Sequence, residues 1–178
     1  MSQESESEKT AEDWFNEGVA LGRVHKNEES IKAYGMAVEL DPSHFKAWYN
    51  MGLRYGKIPQ NLKAADCFKK AIEIQGEDPM VHYCLAVVSN LSGQVEQAVK
   101  HYEEAVRINP NFAKAYSNLA MVHYSIKKGK PTISNLIKAK KLFEEQGDAQ
   151  MASTAADLLK ECYAEFKLNP ADFNGNGS

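Results

Sequence analysis

The side chains that most often carry chemistry are histidine, cysteine and paired carboxylates, and they are scattered along this chain of 178 residues. Metal-binding or catalytic histidines usually recur in spacings such as HExxH, because residues four apart share one helical face. The five histidines show no such spacing, and GxGxxG, GxxxxGK(S/T) and GxSxG motifs are absent. Acidic pairs such as Glu103-Glu104 lie on the polar sides of amphipathic patterns, where solvation explains them. The sequence therefore predicts a protein that is not an enzyme and holds no cofactor or metal.

Composition and charge narrow the class of partner. Hydrophobic residues make up 43% and charged residues 25% of the chain, and the formal net charge of -3 provides no basic field for nucleic acid. No run approaches the roughly 18 apolar residues that a membrane span requires. The amino terminus is acidic, unlike a secretory signal, and the spacing of Cys67, Cys84 and Cys162 suits a reducing compartment. We expect a cytoplasmic protein with no nucleic-acid partner and no membrane insertion.

One internal period organises the chain, because residues of similar type recur every 34 positions. This offset carries Trp14 to Trp48, and it carries Tyr34 to Phe68 and then to Tyr102. Four units follow without a gap, at 11–44, 45–78, 79–112 and 113–146. Each unit contains two amphipathic stretches of about 14 residues separated by a polar break, which predicts a pair of helices. One such pair cannot bury its apolar face alone, so stacked neighbours are expected.

The residues inside a unit indicate a family. The second unit supplies Trp48, Met51-Gly52, Tyr55, Ala64, Phe68 and Ala71. This series resembles the tetratricopeptide repeat, whose pattern is W-x2-LG-x2-Y, then A-x3-F, then A and P. The fourth unit fits least well, since Thr132 and Glu144 depart from the pattern. The resemblance implies an all-α fold, a right-handed α-solenoid of about nine helices in antiparallel pairs.

A further helix is predicted after the fourth unit, from about Asp148 to Lys167. Asp148 is a good N-cap, and the apolar and polar residues that follow it lie on opposite helical faces. The segment 147–168 resembles the capping helix that ends tetratricopeptide arrays, although docking of this helix on a second chain is an alternative. The acidic leader 1–10 and the tail 169–178 are expected to be disordered.

The resemblance also implies where a ligand would lie, because the first helices of successive tetratricopeptide units line a concave groove. Asparagine amides there can both donate to and accept from a peptide backbone, and aromatic rings offer stacking area. The groove residues implied in this way are Phe15, Asn16, Val19, Lys46, Tyr49, Asn50, Leu53, Lys57, Tyr83, Val87, Lys114, Asn118 and Met121. The nearby charged residues, Glu12, Arg23 and the three lysines, sum to +3, which favours an acidic peptide.

Other interpretations of these residues stay open. The asparagines and lysines can be ordinary surface residues, and Tyr49 and Tyr83 can pack between adjacent units. The two-carboxylate clamp of chaperone-binding family members is not matched, because Phe15 and Val19 occupy the places of its Lys and Asn. A heat-shock-chaperone tail is therefore not the expected ligand, even though Asn50, Lys114 and Asn118 are partly clamp-like.

The function favoured by the sequence is a non-catalytic adaptor that binds an extended, acidic segment of a partner protein in the concave groove. One alternative is a secretion or assembly chaperone, since class II type III secretion chaperones resemble small tetratricopeptide proteins of similar length. Another is a scaffold that self-associates through its convex back or last helix. Co-expression with an insoluble cargo separates the chaperone from the adaptor, and light scattering at high concentration tests the scaffold.

Overall fold

The computed structural model describes residues 9–173, and every regular element in this range is helical. The α-helices are α1 Ala11–Arg23, α2 Asn27–Leu40, α3 Phe45–Lys57, α4 Asn61–Ile74, α5 Pro79–Leu91, α6 Val95–Ile108, α7 Ala113–Ser125, α8 Gly129–Glu145 and α9 Ala149–Phe166. The starts of α1, α3, α5 and α7 are 34 residues apart, and so are those of α2, α4, α6 and α8. The all-α class predicted from the sequence is confirmed.

Two compact units divide the chain, and each contains its own stack of helices. The amino-terminal unit ends at Glu77 and contains α1–α4, and the carboxyl-terminal unit begins at Asp78 and contains α5–α9. Within each unit, every helix packs against the helices that precede and follow it in the chain. A helix pair therefore shares its apolar side with the next pair of its unit, as a repeat that cannot bury a core alone must do.

Glycine allows the two helices of a pair to approach closely in the amino-terminal unit. A Cβ atom at Gly18 would lie 2.5 Å from the ring of Tyr34, and one at Gly52 would lie 2.7 Å from the ring of Phe68. Both rings are almost completely buried, with exposures of 2% and 1%. The first helix of each pair thus packs directly on an aromatic ring of the second helix, at a separation that a larger residue would prevent.

Helix α9 closes the carboxyl-terminal unit. Asp148 caps it as predicted, since its carboxylate accepts a hydrogen bond from the backbone N–H of Met151 at 3.1 Å. Glu165 on α9 accepts a hydrogen bond from the hydroxyl of Tyr124 and another from Lys127 at 2.7 Å. The buried residues of α9 are Ala152, Ala155, Leu159 and Cys162, and the predicted polar residues Ser153, Asp157, Lys160, Glu161 and Glu165 are exposed.

The predicted disorder at the ends is wrong for the described parts of those segments. Thr10 forms a capping box with Asp13 at the start of α1. Pro170–Phe173 form a 3-10 helix, and the ring of Phe173 meets that of Tyr163 at 5.9 Å between centroids. A helix cap and an aromatic contact therefore hold these residues in place. Residues 1–8 and 174–178, the rest of the predicted leader and tail, lie outside the described residues.

We predict that Gly52→Ala destabilises the protein by about 1–3 kcal/mol, because the added methyl group would overlap the buried Phe68 ring. Gly56→Ala on the same helix is the matched control, since a Cβ atom there meets nothing within 4 Å. Alanine is the better helix former, so this second change should stabilise the protein by up to about 1 kcal/mol. Urea unfolding followed by circular dichroism measures both. Equal effects of the two substitutions would contradict the close approach of α3 to α4.

Candidate functional site

The first-helix face of each unit is the side of its first helices on which the predicted groove residues lie. These helices are α1 and α3 in the amino-terminal unit and α5 and α7 in the carboxyl-terminal unit. In the amino-terminal unit, Lys46 and Lys57 lie near the two ends of α3 and are exposed, and Leu53 between them is half-buried. Neither lysine forms an ion pair within residues 9–173. On α1, Asn16 is exposed, and its amide donates to the carboxylate of Glu12 at 3.4 Å.

The predicted aromatic residues pack inside their own repeats. Each first-helix ring lies on a second-helix ring 19 positions later, at centroid distances of 5.8 Å for Phe15–Tyr34, 6.0 Å for Tyr49–Phe68 and 5.8 Å for Tyr83–Tyr102. Phe15 also lies 4.8 Å from His44, and Tyr83 lies 4.9 Å from Phe112, just before the next first helix of the same unit. These contacts inside each repeat hold the half-buried rings in place.

In the carboxyl-terminal unit, Asn118 of α7 connects three elements. Its side-chain amide donates to the hydroxyl of Tyr83 on α5 at 3.0 Å and to that of Tyr102 on α6 at 3.4 Å. Burial raises the pKa of Tyr102 to about 12, against the opposing effect of the Asn118 hydrogen bond. The Tyr102 hydroxyl therefore stays protonated at neutral pH, and Asn118 satisfies a polar group that would otherwise be buried without a partner.

Asn118 bonds the tyrosine 16 positions earlier in the chain, and a hydrogen bond between an asparagine and a tyrosine at this offset also occurs in the amino-terminal unit. Burial raises the pKa of Tyr34, and the side chain of Asn50 is among the groups that lower it by hydrogen bonding to the hydroxyl. At the corresponding positions in the sequence, Phe68 has no hydroxyl and Cys84 replaces the asparagine. Asparagine thus occurs where the aromatic residue 16 positions earlier is a tyrosine. Asn50 and Asn118 have a packing role that the sequence analysis missed, although comparing residues at this offset would have revealed it.

Charge is distributed unevenly between the two kinds of helix. The first helices α3, α5 and α7 contain no Asp or Glu, whereas each of the second helices α2, α4, α6 and α8 contains two or more. Lys114 of α7 is exposed and, like the lysines of α3, has no ion pair within the described residues. Lysines of the second helices, such as Lys70 and Lys140, pair with glutamates three or four residues away. The first helices α3, α5 and α7 therefore carry no competing carboxylates, and α3 and α7 carry lysines, whereas α1 carries Glu12, Asp13 and Glu17.

Two exposed residues of α5 were not predicted as part of the site. Met80 and Leu91 are 44% and 67% exposed, and they occupy the positions that correspond to Lys46 and Lys57 in α3. The predicted Met121 of α7 is 42% exposed, and Val87 of α5 is half-buried. Helix α5 therefore has aliphatic side chains at the positions where α3 has lysines.

Two imidazoles, His82 and His101, meet at 3.1 Å between Nδ1 atoms. Burial raises the pKa of Cys67 to about 12, with a smaller effect of Asp66 in the same direction, so the thiol carries no nucleophilic thiolate at neutral pH. No three His, Cys, Asp or Glu side chains in the described range are grouped to hold a metal ion. No helix in this range combines the length and apolarity needed to cross a membrane.

Comparisons with known proteins support the repeat assignment. Residues 45–78 match the family model described as tetratricopeptide repeat, and residues 90–126 match the model described as TPR repeat. No curated protein matches the chain. Among solved structures, MamA 41-end from Desulfovibrio magneticus RS-1 is similar with a TM-score of 0.72 and 21% identity, over 76% of this chain and 77% of that one. YrrB, a TPR protein with an unusual peptide-binding site, gives a TM-score of 0.68 and 21% identity over 88% of each chain.

A third similar structure is the first TPR of Spaghetti (RPAP3) bound to the HSP90 peptide SRMEEVD. Its TM-score is 0.64 at 18% identity, over 66% of this chain and 94% of that one. The two repeat matches, the helix pairs and these folds agree with one another. The chain therefore contains tetratricopeptide repeats at residues 45–78 and 90–126, and its fold is all-α and of the solenoid type, as the sequence predicted. Proteins of this kind are generally non-catalytic interaction modules.

We predict that Asn118→Ala destabilises the protein by about 1–2 kcal/mol, because the buried Tyr102 hydroxyl loses its hydrogen-bond donor. The same substitution should cost less in a Tyr102→Phe background, where the buried hydroxyl of residue 102 is absent and only that of Tyr83 loses its donor. Urea unfolding of the wild type, the two single variants and the double variant gives the coupling between the two residues. An identical loss of stability in both backgrounds would show that Asn118 does not act on Tyr102.

A second prediction concerns His123, which is 6% exposed. Burial lowers its pKa, Lys128 lowers it to a smaller extent, and Glu103 has the opposite effect. Because its pKa in the folded state lies below the unfolded value of about 6.5, the unfolded chain binds the proton more readily. The contribution of neutral His123 to the free energy of unfolding is complete above about pH 6.5 and is lost as the pH falls through the folded pKa. Unfolding free energies measured from neutral pH downward should decline less in His123→Gln than in the wild type. His25→Asn, at an exposed position, is the control and should decline like the wild type.

Proposed function

We propose that this protein is a non-catalytic adaptor that binds a segment of a partner protein on its first-helix faces, with a preference for acidic segments. The observation that carries the proposal is the absence of Asp and Glu from α3, α5 and α7. Lysines on α3 and α7 are exposed there without ion pairs inside the described chain. A peptide carboxylate approaching these helices meets cations and no competing acid, which favours association electrostatically.

The polar groups around these lysines suit an extended peptide. Asn16 of α1 is exposed, whereas Asn50 of α3 is half-buried and hydrogen-bonds to the hydroxyl of Tyr34. A carboxamide can exchange hydrogen bonds with the unpaired N–H and C=O groups of an extended backbone. The structures of YrrB and of the Spaghetti repeat support this proposal by analogy, since YrrB has an unusual peptide-binding site and the Spaghetti repeat is bound to an HSP90 peptide. That analogy concerns the fold and does not transfer a particular ligand.

The proposal predicts that Lys46→Glu, Lys57→Glu and Lys114→Glu together abolish capture of the partner. Affinity capture from the source cell's lysate, followed by quantitative mass spectrometry, should show partner proteins depleted by at least about tenfold relative to the wild type. A tenfold change corresponds to about 1.4 kcal/mol, a realistic sum for three reversed surface charges. Capture by the wild type should also weaken as the salt concentration rises, because exposed charges are screened.

A matched control separates the first-helix faces from net charge. Lys32→Glu, Lys100→Glu and Lys130→Glu change three exposed lysines of the second helices α2, α6 and α8, with the same total change in charge. This triple variant should capture the partner as the wild type does. Equal loss of capture in both triple variants would indicate a general charge effect. Full capture by the first-helix variant would contradict the proposal.

A further inference from the structure

Helix α5 is apolar on its exposed side as well as on its buried side. Its thirteen residues include no Asp, Glu, Lys or Arg. Val81, Leu85 and Val88 are buried in the protein. Met80, Val87 and Leu91 fall within about 40° of one another on the opposite side of the helix, given 3.6 residues per turn. Large aliphatic side chains clustered on the exposed side of a helix are typical of a surface that is covered by a partner, even though Asn90 of this helix is exposed as well.

The equivalent positions of the other first helices show that the stripe is particular to α5. The residues 34 positions apart from Met80 are Lys46 and Lys114, and those 34 apart from Leu91 are Lys57 and Ser125. The same fold therefore accepts polar residues at both positions. The requirements of folding do not explain why α5 has two large aliphatic side chains there, at exposures of 44% and 67%.

Helix α7 extends this apolar surface within the carboxyl-terminal unit. The hydrogen bond between Asn118 and the hydroxyl of Tyr83 holds α7 beside α5, at 3.0 Å between the two atoms. Met121, one turn after Asn118, is 42% exposed and corresponds to Val87 by the repeat offset. Lys114, one turn before Asn118, is exposed. The surface thus combines an aliphatic stripe on α5, a methionine on α7 and a cation at one edge.

We propose that this α5 stripe binds an amphipathic α-helix of a partner protein, with aliphatic side chains on one face and an acidic residue beside them. This inference rests on the proposed adaptor function and names the partner chemistry for the carboxyl-terminal unit. Met80, Cys84, Val87 and Leu91 have the i, i+4, i+7, i+11 spacing, which matches the ridge of a second helix packed along the first. The stripe extends about 16 Å along α5, or three turns.

The charges favour a different protein over a second copy of this chain as the occupant. In an isologous dimer the same surface meets itself, so α5 would face α5 across the symmetry axis. Neither α5 nor α7 carries a carboxylate, so the Lys114 side chains would find no acidic partner on these helices. A partner helix with a glutamate beside its apolar face supplies that carboxylate and covers the stripe at the same time.

The probe is a fluorescein-labelled designed peptide with leucine at helical positions i, i+4, i+7 and i+11 and glutamate on both flanks. Its reference is a scrambled peptide of the same composition, which keeps the charge but loses the stripe. Fluorescence anisotropy with the full chain should show that the patterned peptide binds at least about tenfold more tightly than the scrambled one. Equal binding of the two peptides would overturn the proposal.

Met80→Lys with Leu91→Lys is the decisive variant, because lysine occupies both equivalent positions of α3 and the fold tolerates it there. This variant should bind the patterned peptide at least about tenfold more weakly than the wild type. Leu62→Lys is the matched control, since Leu62 of α4 is an aliphatic residue that is 66% exposed, and it should bind normally. Circular dichroism verifies that both variants keep their helices. Undiminished binding by the double variant would overturn the proposal.

Two further outcomes distinguish this inference from the general function. The wild-type chain could sediment as a dimer while the variant with Met80→Lys and Leu91→Lys sediments as a monomer. In that case a second copy of the chain covers the α5 stripe, and the proposal is wrong. If the lysine-to-glutamate variants capture partners normally while the patterned peptide still requires Met80 and Leu91, the acidic preference fails. The α5 surface would then remain as the binding site of the carboxyl-terminal unit.

Discussion

The structure depends on the inability of a single helix pair to bury its own apolar surface. In the amino-terminal unit, the rings of Tyr34 and Phe68 lie against Gly18 and Gly52, and this contact sets how closely the helices of each pair approach. The other side of α2 then packs against α3 of the following pair, and that of α6 packs against α7 in the carboxyl-terminal unit. Packing therefore fixes one side of every first helix and leaves the opposite side available for a ligand.

This constraint explains why several residues that suit ligand binding also serve packing. The aromatic residues of α1, α3 and α5 lie on second-helix rings, and Asn118 bridges hydroxyls of Tyr83 and Tyr102. A tyrosine hydroxyl in the interior requires a hydrogen-bond partner, and a carboxamide supplies one. The first-helix face is consequently rigid at its base, which reduces the conformational entropy that a bound segment has to overcome. In the proposed function, its outermost residues, which do not take part in packing, set the preference for a partner.

Those outermost residues differ between the units even though the backbone pattern repeats. Helix α3 has lysines at its ends, while α5 has methionine and leucine at the same repeat positions. One fold can thus offer a cationic face in its amino-terminal unit and an aliphatic face in its carboxyl-terminal unit. Such variation on a fixed frame is what allows repeat proteins to bind dissimilar segments, and it follows from residues that do not contribute to the core.

The sequence by itself determined the helix pairs, their period and the capping helix, because core positions recur at a fixed spacing and helix formation depends on local pattern. It also predicted Lys46, Lys57 and Lys114 as groove residues, and their exposure follows from their place on an amphipathic helix. It left open whether Tyr83 packs or binds a ligand and did not assign Asn118 to packing, since their hydrogen bond joins residues 35 positions apart. It likewise missed Met80 and Leu91, because an aliphatic residue in an apolar helix is expected inside. Only the tertiary structure decides which side of that helix is covered.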